Sequence, residues 1–208
     1  MNVVLFGATG MIGSRVLKEL VSRGHTVTAV VRDPSRVPNE PGVKAVKGDV
    51  LDASEVAEVA KGADAVISAY NPGSNPSVIV DATKSLIAGL KLAGVNRFIE
   101  VGGAGSLFVG PNLRLVDAPG FPAEYKEIAL THADALEVIR KSDLDWTYFS
   151  PAALIQPGER TGKFRLAEDT LVADDKGNSS ISAEDYAIAL VDELEHPKHI
   201  RKRFTIGY

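Results

Sequence analysis

The chain of 208 residues contains no cysteine, and this absence excludes several kinds of chemistry. Without thiols there is no disulfide, thiolate nucleophile or cysteine-ligated metal, and a reducing cytoplasm is the expected location. Basic residues are not in excess, since the net charge is −4. Nucleic acid or an anionic membrane would each favour a basic face, so neither is an expected partner. We predict a small-molecule substrate and no metal site.

Long apolar runs are also missing from the sequence. No run approaches the about 18 residues that a membrane helix needs, and the first residues are typical of a strand rather than a signal peptide. With 45% hydrophobic and 24% charged residues, the composition is typical of a soluble globular protein. Because a chain of this length can bury one continuous core, we expect a single domain over residues 1–208, as a monomer or a homodimer.

Short runs rich in Val and Ile alternate with helical patterns along most of the chain. The predicted strands are Val3–Phe6, Thr26–Val31, Val43–Val46, Ala65–Ser68, Arg97–Val101, Trp146–Phe149 and Phe204–Ile206. The predicted helices are Ile12–Ser22, Ser54–Ala60, Ser77–Ala93, Ala123–Arg140 and Ala183–Glu195. Strict alternation favours a parallel sheet with helices on both faces. The predicted fold is therefore a doubly wound α/β fold.

The second half of the chain is less regular. Residues 106–122 contain three prolines and no period, which is typical of a lid or binding loop. Short apolar runs in Thr161–Ala173 suggest a hairpin. Residues 151–208 are expected to form a small α+β extension of the same domain, in which Ser182 and Asp185 begin a helix as a capping box.

The segment GATGMIG, residues 7–13, lies between a predicted strand and a predicted helix. Gly7 permits a tight exit from the strand, Gly10 leaves the backbone open to a pyrophosphate, and Gly13 lets the helix pack closely on the sheet. Free N–H groups at the helix start favour a phosphate. A tight turn without a ligand is the alternative. The predicted dinucleotide-binding turn comprises Gly7, Thr9, Gly10, Met11, Ile12 and Gly13.

The end of the second strand indicates which dinucleotide binds. Arg32 stands nineteen positions after Gly13, where a NAD-selective site normally has an acidic residue. A guanidinium suits the 2′-phosphate of NADP(H), and Arg36 would add charge. Asp33 follows immediately, so NAD(H) remains an alternative cofactor. A solvated charge that binds nothing is a further alternative for Arg32.

Later strand ends extend the predicted site, because ligands bind at the carboxyl ends of strands in open α/β sheets. Asp49 and the Val50 backbone suit the adenine edge. A plain loop, with Asp52 or Ser54 capping the next helix, is the alternative. The remaining predicted cofactor contacts follow the fourth and fifth strands and are Ser68, Ala69, Tyr70, Gly102 and Gly103.

GATGMIG, the GDVLD after the third strand and the strand in LDWTYFSPAAL together resemble the atypical short-chain dehydrogenase/reductase proteins. The chain is most similar to small bacterial proteins provisionally called NADH-flavin reductases, relatives of biliverdin-IXβ/flavin reductase and of NmrA-like proteins. The resemblance covers nearly the whole chain, including SAEDYAIALVDELE and FTIGY. It implies a Rossmann-like fold that binds NADP(H) or NAD(H), with FMN or FAD as a candidate substrate. The group also includes isomerases and redox sensors, so it does not fix the activity.

The usual catalytic pattern of short-chain dehydrogenases is incomplete here. They use a Tyr followed four residues later by a Lys, with a Ser after the fifth strand. In this chain Lys126 follows Tyr125 directly, and position 129 is Ala. Two glycines stand where the Ser is expected, and Ser106 lies slightly beyond them. Tyr125, Lys126 and Ser106 are therefore candidate catalytic residues, although their spacing differs from that of the standard triad.

His132 is a further candidate, because helical spacing predicts that it shares an inward stripe with Ile128 and Leu136. The resemblance implies a histidine near the substrate at this position. A core histidine bonded to a backbone carbonyl is the alternative, as is a solvated surface lysine for Lys126. Three aromatic residues in or beside residues 106–122 would wall a planar ring, or simply pack the lid: Phe108, Phe121 and Tyr125.

Three functions are compatible with the sequence. The first is an NADP(H)-dependent reductase that passes hydride to a flavin or another planar, quinone-like acceptor, whose own chemistry asks little of the protein beyond orientation. The second is a non-catalytic NADP(H)-binding redox sensor, NmrA-like, that acts through a protein partner. The third, a nucleotide-sugar epimerase or dehydratase, is disfavoured because the Tyr and Lys pair and a large sugar domain are missing.

Overall fold

The computed structural model describes residues 1–208 and is built around an eight-stranded sheet. The strands are β1 Asn2–Phe6, β2 Thr26–Val31, β3 Val43–Lys47, β4 Ala65–Ser68, β5 Arg97–Val101, β6 Phe108–Gly110, β7 Leu113–Arg114, β8 Asp145–Ser150, β9 Leu154–Gln156, β10 Arg165–Ala167, β11 Ser180–Ser182 and β12 Lys202–Gly207. The helices are α1 Met11–Ser22, α2 Ala53–Ala60, α3 Ile79–Ala93, α4 Lys126–Arg140 and α5 Ala183–Glu195. None of these helices has the length and apolarity needed to cross a membrane.

The strands of the main sheet lie in the order β10-β12-β8-β5-β4-β1-β2-β3. Every neighbouring pair is parallel except β10 and β12. Helices α1 and α5 pack together on one face, and α2, α3 and α4 cover the other. The predicted Rossmann-like, doubly wound α/β fold is confirmed. The strand order reverses between β1 and β4, which opens a crevice at the carboxyl edge of the sheet.

The predicted strands and helices of the main sheet are all present, with bounds that differ by at most three residues. Among the helices, the largest differences are at the starts of α3 and α4. Tight 3₁₀ turns, Pro76–Val78 and Ala123–Tyr125, precede these two helices. A proline begins the first turn and directly precedes the second, and its fixed φ suits a helical entry without a hydrogen-bond donor.

Two predictions for the irregular segments are wrong. Thr161–Ala173 does not fold back on itself, because its only strand, β10, pairs antiparallel with β12 and covers the open edge of the sheet. Residues 106–122 were expected to lack regular structure but contain an antiparallel hairpin, β6 and β7. Their role as a lid or binding loop stays a prediction. Asn112 in the hairpin turn adopts a φ of 56°, which Asn tolerates better than most residues.

The C-terminal residues are integrated into the main layers, because β12 pairs with β8 and α5 packs on α1. At the start of α5, the Ser182 hydroxyl accepts a hydrogen bond from the Asp185 N–H at 3.0 Å, as predicted. The Asp185 carboxylate does not return to Ser182. It accepts instead from the Gly162 N–H and the Tyr208 hydroxyl, each at 2.8 Å, and so fastens the end of the chain.

Candidate functional site

The glycine turn lies between β1 and α1, at the crevice. Gly7 has a φ of +76°, and a Cβ on it would collide with the Ala69 carbonyl of the neighbouring β4 strand end. A Cβ on Gly13 would collide with the Gly7 carbonyl. Glycine is therefore required at both positions for the backbones to approach. The predicted structural reasons for these two glycines agree with this geometry.

Gly10 differs from the other two glycines because no backbone atom lies close enough to exclude a Cβ outright. It precedes α1 with an extended backbone, φ −74° and ψ 172°, and an added Cβ would meet only the Gly7 oxygen at 3.3 Å. The first N–H groups of α1, on Met11, Ile12 and Gly13, have no acceptor within the helix. This backbone can hold an anion that approaches across Gly10.

A cleft of about 240 Å³ opens beside this turn. Its polar wall includes Arg32 at the end of β2, Arg36 in the following turn, and Asp49 after β3. Neither arginine takes part in an ion pair within the chain. The cleft is lined by Phe6, Gly7, Thr9, Gly10, Val30, Val31, Arg32, Arg36, Gly48, Asp49, Val50, Ala69, Tyr70 and Asn71.

Asp33, the acidic residue that made NAD(H) an alternative cofactor in the sequence, has a local structural role. Its carboxylate accepts from the Ser35 N–H at 3.1 Å and from the Ser35 hydroxyl at 2.7 Å, and it caps the short turn Pro34–Arg36. These bonds lower the pKa of Asp33. Asp33 is not among the residues that line the cleft. The charge presented to a ligand at this strand end is therefore that of Arg32.

The loop after β3 contains both the predicted cleft residue and the helix cap that was its alternative. Asp52 caps α2 by accepting from the N–H groups of Ser54 and Glu55, at 2.8 and 3.1 Å. Asp49 lines the cleft, and one of its carboxylate oxygens accepts from the Leu51 N–H at 2.9 Å. The helix cap and the cleft wall are thus formed by different aspartates of the same loop.

The residues after β4 divide between the cleft and the core. Ala69 and Tyr70 line the cleft, and burial raises the pKa of the Tyr70 hydroxyl although Arg32 acts in the opposite direction. Ser68 is buried within the sheet and is not part of the cleft wall. We expect any contact of Ser68 with a ligand to pass through its backbone.

Gly102 and Gly103, predicted to contact the cofactor, have a packing role in the structure. A Cβ on Gly102 would enter the ring of Tyr148, and a Cβ on Gly103 would lie 2.8 Å from the Cβ of His132. Neither glycine lines the cleft. The two glycines let β8 and α4 close over the end of β5, and this closure brings His132 to the carboxyl edge of the sheet.

His132 is half-buried and is bonded to a tyrosine that the sequence did not single out. The Tyr148 hydroxyl donates to the His132 carbonyl at 2.8 Å and lies 3.3 Å from the His132 Nδ1. Since that hydroxyl has one hydrogen, Nδ1 is the donor in the second contact and Nε2 keeps a lone pair. Burial lowers the pKa of His132 to about 4, so the imidazole is neutral at neutral pH.

The structure separates the other catalytic candidates from His132. Tyr125 is 59% exposed in the turn before α4, and Lys126 is exposed at the helix start. Ser106 accepts a hydrogen bond from Arg203 at 2.8 Å and lies in a different cleft, between the β6–β7 hairpin and α4. Of the four predicted catalytic residues, only His132 packs directly against the end of β5.

The β6–β7 hairpin is held by the C-terminal part of the chain. Phe108 exchanges backbone hydrogen bonds with the segment around Thr170, since its N–H donates to Asp169 and its carbonyl accepts from Leu171, at 2.8 and 2.9 Å. The Phe108 side chain is 36% exposed, and Phe121 is half-buried. Phe108 lines the cleft of Ser106 rather than the cleft of the glycine turn.

Sequence reasoning missed Glu100 and Tyr148, two buried polar residues near His132. A signal was available for Glu100, because it is the one acidic residue within the apolar strand RFIEV. Tyr148 could not be distinguished from an ordinary core aromatic, because its partner His132 is 16 residues away in the sequence.

Comparison with known proteins identifies the family. Residues 7–197 match the profile of the family described as NAD(P)H-binding. The chain belongs to the NAD(P)H-binding family. The expected resemblance to this group is thereby confirmed, and so is a nicotinamide dinucleotide as the cofactor class.

Several known proteins are similar to this chain over the full length. The uncharacterised YwnB protein of Bacillus subtilis (strain 168) is 43% identical over 99% of this chain and 98% of its own. A Bacteroides thetaiotaomicron crystal structure, provisionally named an epimerase, has a TM-score of 0.94 with 48% identity over 100% of this chain and 96% of that one. One from Streptococcus pneumoniae TIGR4, provisionally named an NADH-flavin reductase, has a TM-score of 0.85 with 37% identity over 100% and 99%. The fold of this family member is that of NAD(P)H-binding oxidoreductases.

Proposed function

We propose that the protein is an NADP(H)-dependent reductase that passes a hydride to a flavin or another planar, quinone-like acceptor. The observation that carries this proposal is the pairing of the glycine turn with Arg32 and Arg36 in one cleft, where neither guanidinium has a carboxylate partner within the chain. The relative from Streptococcus pneumoniae, with its provisional name, supports the choice of acceptor.

The residues present fit an NADP(H) molecule. Gly7 and Gly13 allow the backbone approaches that shape the turn, and the open backbone at Gly10 and the N-terminus of α1 suit a pyrophosphate. Arg32 and Arg36 supply the charge for a 2′-phosphate, which a guanidinium binds in a bidentate manner. Tyr70 and Asp49 form the wall next to them.

The chemistry of the site suits an acceptor that needs little acid or base from the protein. A bound nicotinamide supplies a hydride to the acceptor, and one proton from solvent completes the two-electron reduction. His132 is uncharged at neutral pH, and its free Nε2 can accept a hydrogen bond that orients the acceptor. Tyr125 and Lys126 lie exposed and apart from it. Orientation is therefore the main contribution of this chain.

The first experiment measures turnover. Purified protein with NADPH is assayed with FMN, FAD and a quinone in separate anaerobic reactions, and NADPH consumption is compared with reactions lacking protein. We expect consumption well above that background with at least one acceptor. If none of the three is reduced above background, the proposed reductase activity is wrong.

The second experiment tests cofactor choice with Arg32→Gln. Losing a charged hydrogen bond to the 2′-phosphate costs about 1.5–3 kcal/mol, so NADPH affinity should fall roughly 10- to 100-fold. NADH affinity should change less than about twofold, since the lost group has no partner there. Lys18→Gln, which removes one exposed positive charge on α1 outside the cleft, is the matched control. Equal losses for both dinucleotides would contradict the role of Arg32.

A redox sensor is the second candidate, because the only predicted catalytic side chain near the end of β5 is a neutral histidine. The same two experiments separate the functions. Selective NADPH binding without turnover of any acceptor would favour a sensor that acts through a protein partner. An epimerase is disfavoured, since no tyrosine and lysine are arranged as a proton-transfer pair, although the Bacteroides relative carries that provisional name.

A further inference from the structure

A row of buried polar residues crosses the sheet beneath α3 and α4. Backbone register aligns Ser68 of β4 with Glu100 of β5, Glu100 with Tyr148 of β8, and Tyr148 with Arg203 of β12. All four side chains are buried, with exposures of 6% or less. Register partners on adjacent strands point to the same face. The preceding level of this face is apolar, so the polar row is a distinct layer at the carboxyl edge.

Glu100 is the member of the row whose charge state the surroundings determine. One carboxyl oxygen lies 2.6 Å from the Thr83 hydroxyl of α3, and the other has no hydrogen-bond partner. No cation forms an ion pair with it. A buried carboxylate with one hydroxyl partner and no counter-charge is strongly unfavourable, so Glu100 is the neutral acid. Burial accordingly raises the pKa of Glu100 to about 8.

Three uncharged side chains face Glu100 from the neighbouring elements. Thr83 faces it from α3, Ser68 from β4 and Tyr148 from β8, and none of these is charged. The one nearby cation, Arg203, is committed to Asp169 and donates to Ser106. A negative charge on Glu100 would act on Tyr148, since the two side chains are register neighbours in a dry layer.

Tyr148 connects this row to the candidate reaction site. Its hydroxyl donates to the His132 carbonyl and accepts from the His132 Nδ1–H, which fixes the imidazole as the neutral tautomer with a free Nε2. A carboxylate beside Tyr148 would instead act on the Tyr148 hydroxyl and so disturb its two hydrogen bonds to His132. A neutral acid at the same place leaves them undisturbed.

We propose that Glu100 is a positioning residue for the reaction site: as a buried neutral acid beside Tyr148, it preserves the two Tyr148–His132 hydrogen bonds that leave the His132 Nε2 available to a bound ligand. This proposal depends on the proposed reductase only for its kinetic readout. Glu100 is buried and lines neither the cleft of the glycine turn nor the cleft of Ser106, so its effect passes through Tyr148. Loss of its proton is expected to switch the site to a less active form.

The deciding measurement is the ¹⁵N NMR spectrum of the His132 imidazole as pH rises from neutral to alkaline. In the unmodified protein, we expect the His132 signals to shift with an inflection near pH 8, where Glu100 ionises. In Glu100→Gln, which keeps the shape and never ionises, the inflection should be absent. An inflection that persists unchanged in this variant, or is missing from the unmodified protein, overturns the proposal. Neither result requires turnover, so a failed reductase assay does not decide it.

Two further variants guard against a folding artefact. Thr83→Val removes the only hydroxyl that stabilises the ionised form, so the inflection should move to higher pH. Ser85→Ala changes another buried polar residue of α3, one without a hydrogen-bond partner, and should leave the inflection in place. An inflection unmoved by Thr83→Val would overturn the proposal even if Glu100→Gln did not fold.

If turnover is found, the pH dependence of kcat supplies an independent readout. The unmodified protein should lose activity about tenfold per pH unit above the inflection, the slope of a single ionisation. Glu100→Gln should lack this alkaline limb while keeping the same affinity for NADPH. A purely structural role for Glu100 would lower kcat at every pH and leave the limb in place.

Discussion

The two halves of the sheet edge differ in what holds them together. At β1, β2 and β3, the candidate dinucleotide cleft is formed by backbone, glycines and exposed arginines with no partner in the chain. At β5 and β8, the candidate reaction site is formed by buried residues and the half-buried His132, which bond to one another: Glu100 to Thr83, and Tyr148 to His132. The first half is open to a charged ligand, whereas the second is prearranged and uncharged.

This difference indicates where each half is vulnerable. The binding half depends on close backbone approaches, so a single added carbon damages it. The reaction half depends on protonation states in a dry layer, so it should respond to pH and to isosteric changes. Four predictions test this division.

The largest effect is expected from Gly13→Ala. Its Cβ would collide with the Gly7 carbonyl, and neither backbone can move freely, so the free energy of unfolding should fall by about 3 kcal/mol. Gly10→Ala is the matched variant, because its Cβ meets only one oxygen at 3.3 Å. It should retain stability within about 1 kcal/mol and yet bind NADPH roughly tenfold more weakly. Urea unfolding and dinucleotide titration measure both. Equal destabilisation by the two variants would refute the distinction.

The second prediction concerns stability and pH in the reaction half. The pKa of His132 falls from 6.5 to about 4 on folding, so the unfolded chain binds a proton first and stability declines as pH drops through this window. The pKa of Glu100 rises from 4.5 to about 8, so stability also declines as pH rises through that window and then levels off. Each loss should amount to a few kcal/mol, since one unit of pKa shift corresponds to about 1.4 kcal/mol.

Isosteric variants separate these two losses. His132→Asn should remove the acid decline and leave the alkaline one, while Glu100→Gln should do the reverse. Denaturant unfolding at several pH values supplies the curves. A variant that shifts the whole curve without changing its shape would show that the group does not titrate as its burial indicates.

The third prediction, with a smaller effect, is for Ser106→Ala. It removes an acceptor from the buried guanidinium of Arg203, which still pairs with Asp169, so unfolding should become easier by about 1–2 kcal/mol. NADPH affinity and turnover should not change, because Ser106 lies in a different cleft. Ser74→Ala, an exposed serine without hydrogen bonds, is the control. A selective fall in kcat would instead restore Ser106 as a catalytic residue.

The same division explains how much the sequence could predict. Gly7, Gly10 and Gly13 act within one strand, turn and helix, so their local pattern was sufficient to anticipate both the turn and the crevice beside it. Ser106 could not be placed, since its partner Arg203 is 97 residues away. The alternation of strand and helix patterns likewise predicted the sheet. The pairing of β10 with β12 could not be predicted from a local pattern, because it depends on which edge of the sheet is left unpaired.

His132 shows the limit most directly. Helical spacing correctly turned it inward. The alternative role, a core histidine bonded to a backbone carbonyl, differs from the structure, in which the imidazole contacts the Tyr148 hydroxyl. The same hydroxyl also bonds the carbonyl of His132 itself. A tautomer and a lowered pKa follow from that contact and from burial, and neither can be read from a pattern of apolar residues.

The smallest effect is expected from Tyr125→Phe and Lys126→Met, which test whether any remnant of the short-chain dehydrogenase pair operates. Tyr125 is 59% exposed, so stability should change by less than about 0.5 kcal/mol in either variant. Loss of a working proton donor lowers kcat by about 10²–10⁴-fold, whereas we expect less than a twofold change here. Should Tyr125 only form a wall for the acceptor, Tyr125→Ala would raise KM for FMN and Tyr125→Phe would not. A hundredfold fall in kcat for Tyr125→Phe would show that the reaction depends on the exposed Tyr125 hydroxyl and not only on the neutral, prearranged residues around His132.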